Sequence, residues 1–228
     1  MRILALETSG RDATLAALEG HSDAVARPLA ELAVVGPERT AQFLAPRTEE
    51  LLLQVGWQPR DIELVAVAVG PGSFTGLRIG VTTAKTLAYA VGAQLIGVNT
   101  LAAIAAQVPV GAAPLWAVMD AQRQELFAAK FDAARNMVVA PEILTQPAWR
   151  NLLEPGDHVT GPGLRRLHVD LPDTVQAVPP NAWQPMATTV GHLAWQDYQA
   201  GRRDDLWQLV PLYYRQSAAE EKRGRAGG

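Results

Sequence analysis

Cysteine is absent from this chain, and with it go a disulfide framework, a thiolate zinc site and a cysteine nucleophile. The absence also fits a reducing compartment. Histidine is scarce. His21, His158, His168 and His192 are scattered, with no HxxxH or HExxH pair, so the sequence predicts no metal site. Excess positive charge is missing too. The formal net charge is -3, whereas a dedicated nucleic-acid binder is usually basic over its whole domain; a local basic patch stays open. No apolar run approaches the ~20 residues of a membrane span. Met1 and Arg2 lead straight into ILALE, too short for a signal's apolar core and without a small-residue cleavage site. These absences predict a soluble, cytoplasmic protein with no membrane contact.

What is present is ordinary for a globular chain: 228 residues, 48% hydrophobic and 19% charged, enough for one large domain or two small ones. RILALE (2 to 7) and ATLAALEG (13 to 20), separated by TSGRD, read as a β-hairpin. Residues 23 to 36 read as a third strand that Pro28 either weakens or places at an edge. Residues 38 to 57 read as a helix, with Phe43, Leu44, Leu51, Leu52 and Val55 at near-helical spacing, Pro46 as a kink or restart and Gly56 as its stop. IELVAVAVG (62 to 70) does not alternate with polar residues, so it reads as a strand buried on both faces. A helix follows from about Gly76, then a strand at 93 to 98 and a short helix at 100 to 108 with Thr100 as its cap. PVGAAP (109 to 114) reads as a linker. Two strands flank AQR after it, 141 to 180 gives weak signals, and 181 to 201 reads as a helix starting near Pro185. LVPLYYRQ reads as a last extended segment, and the tail has little to bury. The order is that of a mixed α/β protein in two unequal parts.

The stretch Gly70-Pro71-Gly72-Ser73-Phe74-Thr75-Gly76 invites comparison with phosphate-binding loops. It is not a Walker A loop, because the lysine-hydroxyl pair is missing, and its third glycine comes one place late for a dinucleotide fingerprint. No ribose-binding acid follows at the expected distance. A strand-loop-helix turn still offers free amides, so Gly72, Ser73 and Thr75 are candidate anion contacts. In the helix, Gly76, Gly80, Ala84 and Ala88 recur every four residues and make one nearly bare ridge. Each glycine inside a helix costs up to about 1 kcal/mol, which a close backbone approach offsets. The ridge packs either on this protein's own sheet or on another subunit; spacing alone leaves both open. Arg78, Thr82 and Lys85 share a different, polar face. Glu7, Thr8 and Ser9 lie where a strand turns, and Asp120, Arg123 and Glu125 cluster after another strand. Carboxylates at strand ends serve catalysis in some proteins and turns or caps more often. No residue is assigned a catalytic role.

ILALETSGRDATLAAL, then VAVAVGPGSFTGLRIGVTTAKTLAYAVGAQLIGVNTLAAIA, then MDAQRQELF and a closing VPLYYR together resemble the TsaB (YeaZ) family, over about residues 2 to 215. The centre, GPGSFTGLRIG followed by AK and GV-TL, carries the resemblance. It implies the α/β fold of actin-like, sugar-kinase and Hsp70-like ATPases (the ASKHA, ribonuclease H-like fold) in two lobes, the second reduced: 1–108 with the GPGSFTGLRIG helix, 109–215 smaller with its last helix returning to the first lobe, and a disordered tail at 216–228. It implies a non-catalytic partner of the paralogue TsaD, the transferase that makes threonylcarbamoyladenosine next to the tRNA anticodon. A TsaE-like ATPase would join the pair, a homodimer would use an overlapping surface, and tRNA would be met mainly through the complex. The expected partner interface is Gly76, Arg78, Gly80, Thr83, Ala84, Leu87 and Ala88, in a helix bundle shared by two subunits. No cofactor of its own is implied; ATP or ADP would sit at a subunit junction.

Two departures stand out. The family's H-S-E-x-L-L-P is Thr40-Ala41-Gln42-Phe43-Leu44-Ala45-Pro46 here, which bears on any role resting on a histidine near residue 40 and on partner choice. DAQRQE replaces DAR-x-x-E, with Asp120, Arg123 and Glu125 kept in shifted form. The competing reading is a small ATP-dependent phosphotransferase. It needs an acidic phosphate hairpin and an adenosine loop, whereas the hairpin here carries Glu7 in place of an aspartate and no adenosine loop is visible. A protease is weaker still, since Ser73 lies in no GxSxG arrangement.

Overall fold

The computed structural model describes residues 1–22, 25–34, 40–111, 113–165 and 171–214. The tail predicted at 216–228 lies outside the described residues. The chain forms two five-stranded sheets. The first contains β1 (Arg2–Glu7), β2 (Ala13–Glu19), β3 (Arg27–Val34), β4 (Leu64–Gly70) and β5 (Gln94–Asn99), in the order β3-β2-β1-β4-β5. β1, β2 and β3 pair antiparallel, and β4 and β5 continue parallel to β1. α1 (Thr40–Gln54) follows β3, α2 (Phe74–Val91) joins β4 to β5, and α3 (Thr100–Ala105) follows β5.

The second sheet contains β6 (Leu115–Asp120), β7 (Glu125–Phe131), β8 (Met137–Thr145), β9 (His158–Thr160) and β10 (Gln176–Ala177), with the short α4 (Gln146–Arg150) after β8 and α5 (Ala187–Gln199) after β10. Its order, β8-β7-β6-β9-β10, repeats the first: three antiparallel strands, then two parallel to the leading one. Repeated twice, this is the ribonuclease H-like arrangement of the actin-like ATPase fold. In the second copy β9 and β10 shrink to three and two residues.

The core follows from period-two alternation on strands covered on both sides. Leu4, Leu6, Val65 and Val67 join the cluster that holds Leu44 and Leu51 of α1 and Val81 and Ala84 of α2. Ile3, Ala5, Leu64 and Ala66 face the other way, into the cluster of Val190, Ala194 and Trp195 of α5. β4 is therefore buried along its whole length, as its unbroken apolar run predicts. Pro28 lies on the edge strand β3. Pro46 neither restarts nor ends α1. It lies inside a helix whose neighbouring Gln42, Phe43 and Ala45 are exposed, where water can take the bond a proline cannot make.

The cap of α3 is Asn99, not Thr100. The Asn99 Oδ1 accepts from the amides of Leu101 and Ala102 at 2.9 and 3.2 Å. Strand and helix share no linker here, so the last strand residue takes the cap position and Thr100 becomes the first helical residue. The helix predicted from Gly76 begins at Phe74, with Ser73 as its cap.

Residues 202–214 run as an irregular strap along the outer edge of α2 and the end of β5. The Gly97 amide donates to Asp204 Oδ2 at 2.7 Å, Lys85 Nζ donates to the carbonyls of Trp207 and Leu209, and the Leu212 amide donates to Val69 O at 2.7 Å. Residues 209 to 216, read as a last extended segment, join no sheet over their described part, 209–214.

Gly76 sets a firm test of this packing. A Cβ there would lie 2.0 Å from the carbonyl oxygen of Thr8. Gly76→Ala should lower stability by about 1–3 kcal/mol, overriding the ~1 kcal/mol that alanine gains in helix propensity. Urea unfolding reads this out; an unchanged or raised midpoint contradicts the packing.

Candidate functional site

The hairpin turn, the glycine loop and the first turns of α2 form one tight unit. Glu7 closes β1, and Glu7, Thr8 and Ser9 are 0%, 1% and 2% exposed. The Ser9 amide donates to Glu7 Oε1 at 2.7 Å. Glu7 Oε2, Thr8 Oγ1 and Ser9 Oγ are buried without a hydrogen-bond partner. The loop lies directly on this turn: the Ser73 amide donates to Ser9 O at 2.7 Å, and a Cβ on Gly72 would come within 2.6 Å of Ser9.

Of the three candidate anion contacts, Gly72 (φ +154°) is therefore pressed against Ser9. Ser73 caps α2, its hydroxyl accepting from the Gly76 amide at 3.2 Å, and Thr75 is exposed on the first turn. The arrangement seats a helix.

Five of the expected interface residues are engaged by this chain itself. Gly76, Gly80, Ala84 and Ala88 are buried on the inward face of α2, against this chain's own first sheet. Gly80 shows the reason: a Cβ there would lie 2.1 Å from Thr8 Oγ1. The bare ridge lets α2 approach the end of β1. Arg78 is exposed but engaged by its own chain. Its Nε donates to the Tyr213 hydroxyl at 3.0 Å, and its guanidinium lies 3.9 Å from the Phe74 ring centroid. Thr83 and Leu87 line a groove of about 650 Å³ between α1 and α2.

Thr48, Leu52, Leu53 and Trp57 line the groove from the α1 side. Leu53 is 73% exposed. A sequence signal existed for it: three consecutive leucines, 51 to 53, sweep about 200° of a helix and cannot all face one core.

Asp120, Arg123 and Glu125 shape the β6–β7 turn. Asp120 Oδ1 accepts from the Gln122 amide at 2.8 Å, and Gln122, Arg123 and Gln124 all have positive φ. Among the described residues, no group of three or more His, Asp or Glu side chains is arranged to hold a metal ion, and no helix is long and apolar enough to cross a membrane.

Burial pushes the Glu7 carboxyl up to about 7, against the lowering effect of hydrogen bonds from Ser9 and Gly10. A carboxyl raised in the folded state keeps its proton where the unfolded chain has lost it. Stability should therefore fall as pH rises from about 4.5 to about 7, by up to ~3 kcal/mol. Glu7→Gln should flatten that slope in denaturant titrations across the window; an identical slope in the variant contradicts the assignment.

Comparison with known proteins agrees with this architecture. Residues 37–167 match the family described as TsaD, tRNA N6-adenosine threonylcarbamoyltransferase. The tRNA threonylcarbamoyladenosine biosynthesis protein TsaB of Bacillus subtilis is 29% identical over 160 residues, 69% of this chain and 68% of that protein. Its namesake in Escherichia coli is 33% identical over 138 residues, 60% of this chain and 57% of that protein. The solved structure of YeaZ from Pseudomonas aeruginosa superimposes with a TM-score of 0.75 at 25% identity, covering 93% of this chain and 99% of that one. A second solved structure, of an uncharacterized protein described as similar to peptidase YEAZ from that organism, gives 0.76 at the same identity and covers 94% of this chain and 99% of that one. With the model match extending over more than half its length, this chain belongs to that family, in its TsaB/YeaZ branch.

Proposed function

We propose that this chain is a non-catalytic partner subunit of a TsaD-type threonylcarbamoyl transferase, required for threonylcarbamoyladenosine modification of tRNA next to the anticodon. The observation that carries the reading is the apolar groove between α1 and α2, with Leu53 exposed on its rim and Leu52, Trp57 and Leu87 in its walls. The relatives named for threonylcarbamoyladenosine biosynthesis supply the process. The TsaD match supports a partner of the same family: it spans α1 and α2, so a TsaD-type chain would carry their equivalents, and two chains of one fold can pair about a pseudo-twofold axis through the same helices.

The docking lobe in this reading is 1–108, and 109–215 is the smaller lobe. Thr83 and Leu87 are its contact residues on α2. A second copy would use the same groove, so self-pairing competes with the transferase. A TsaE-like ATPase joins the pair, ATP or ADP sits at a subunit junction, and the transferase supplies most of the tRNA contact, in keeping with a net charge of -3. The setting is cytoplasmic.

The enclosed hairpin supports a subunit without turnover of its own. A general acid or base must come within hydrogen-bond reach of the reacting group, and Glu7 at 0% exposure has no access to a nucleotide phosphate. The residues of this turn do not fit a bound triphosphate, which disfavours the phosphotransferase reading.

Light scattering on a sizing column, with the TsaD-like protein of the same organism, tests the proposal. A mixed complex should form with the wild type and be lost with Leu53→Glu, which changes an exposed side chain and should leave the monomer folded. The isolated chain should show no threonylcarbamoyl transfer. Absence of a mixed complex under every condition, nucleotide included, would overturn the reading.

A further inference from the structure

The strap exposes four large apolar side chains within seven residues. Trp207 is 73% exposed, with Val210, Leu212 and Tyr213 at 58%, 42% and 46%. Trp207 meets Tyr89 of α2 edge to face, with ring centroids 5.6 Å apart, and Tyr89 is itself largely exposed. Monomeric proteins seldom leave such a cluster contiguous and uncovered.

Helical spacing relates this cluster to the groove. Arg78, Lys85 and Tyr89 fall along the edge of α2 next to the strap, whereas Thr83, Leu87 and Ala90 fall along the edge next to α1. Thr82 and Thr86 are exposed between the two edges. α2 is thus the floor of a trough with two walls, α1 and the strap, and an element laid along Thr82 and Thr86 touches both.

We infer that residues 202–214 form the second wall of the docking face for the paralogous transferase subunit, with Trp207 and Val210 as its apolar anchors. The inference rests on the groove reading above and extends it. Continuity with the groove across the exposed face of α2 identifies the occupant. Charge argues against single-stranded nucleic acid, which needs free cations between its stacking rings. Lys85 is engaged by strap carbonyls and Arg78 by Tyr213. Arg202 pairs with Asp197 and Asp204, and Arg203 lies 3.3 Å from the Tyr198 ring centroid. Among the described residues, what remains outward on the strap is aromatic and aliphatic carbon beside the uncharged Gln208 and the acidic Asp205, a chemistry that suits a protein interface better than a nucleic-acid strand. Lys85 and Arg78 are positioning residues in this scheme, because they hold the wall in place.

The test is titration calorimetry of the full chain against the TsaD-like protein of the same organism, using Trp207→Ala, Val210→Asp and Leu53→Glu, each checked for an unchanged thermal midpoint. A buried aromatic anchor is the usual interface hot spot, so Trp207→Ala should raise Kd about tenfold or more, with Val210→Asp in the same direction. Strap variants within about twofold of wild type, beside a weakened Leu53→Glu, would overturn the inference and leave the groove reading standing. No binding by the wild type would overturn both. Loss of self-association in sedimentation with unchanged transferase affinity would overturn it in favour of a second copy.

Discussion

The contact between Thr8 and the bare ridge of α2 is the constraint on which the rest is built. Thr8 ends the central strand of the first sheet, and Gly76 and Gly80 leave room for its carbonyl and hydroxyl. Seating α2 there fixes its rotation. Leu77, Val81, Ala84 and Ala88 then face the sheet, one outer edge looks towards α1, and the other looks towards the strap. The β1–β2 hairpin turn is sealed by the same contact. One packing decision thus closes an inner site and presents an outer face.

Polar chemistry inside this unit has consequences of its own. Glu7 is enclosed with one oxygen satisfied by Ser9 and the other unpartnered. In such surroundings the neutral carboxyl costs less than the carboxylate. The hydroxyls of Thr8 and Ser9 are unpaired beside it. α2 and its loop cover this polar turn completely.

Much of the fold was legible in the sequence, because it rests on backbone periodicity. The run VAVAVG had to be covered on both faces, and of the two readings of Pro28, a weakened strand or an edge strand, the edge is the one found. The four-residue recurrence of small side chains identified a close approach but not its target, since spacing carries no information about what lies opposite. Direction came only with the position of Thr8. β8 escaped notice because an edge strand with Pro141 and largely exposed side chains needs little apolar alternation. The later part of the strap was read as an extended segment, but its place along α2 was not: its carbonyls are held by a lysine more than a hundred positions away, and no local pattern encodes that. The groove was hidden in plain view, in three leucines too many for one helical face.

The separation between Lys85 and Leu209, 124 positions, also sets a clock. A ribosome adding ~5–20 residues per second needs roughly 6 to 25 s to travel from one to the other. Through that interval the nascent α2 has its sheet beneath it and α1 beside it, but its other edge is bare. The strap arrives after the second sheet has been made, so the outer face of α2 gains its second wall late in translation. In the complex proposed above, assembly would thereby be ordered in time, since a chain made only as far as α2 presents one wall of the docking face and the strap supplies the other.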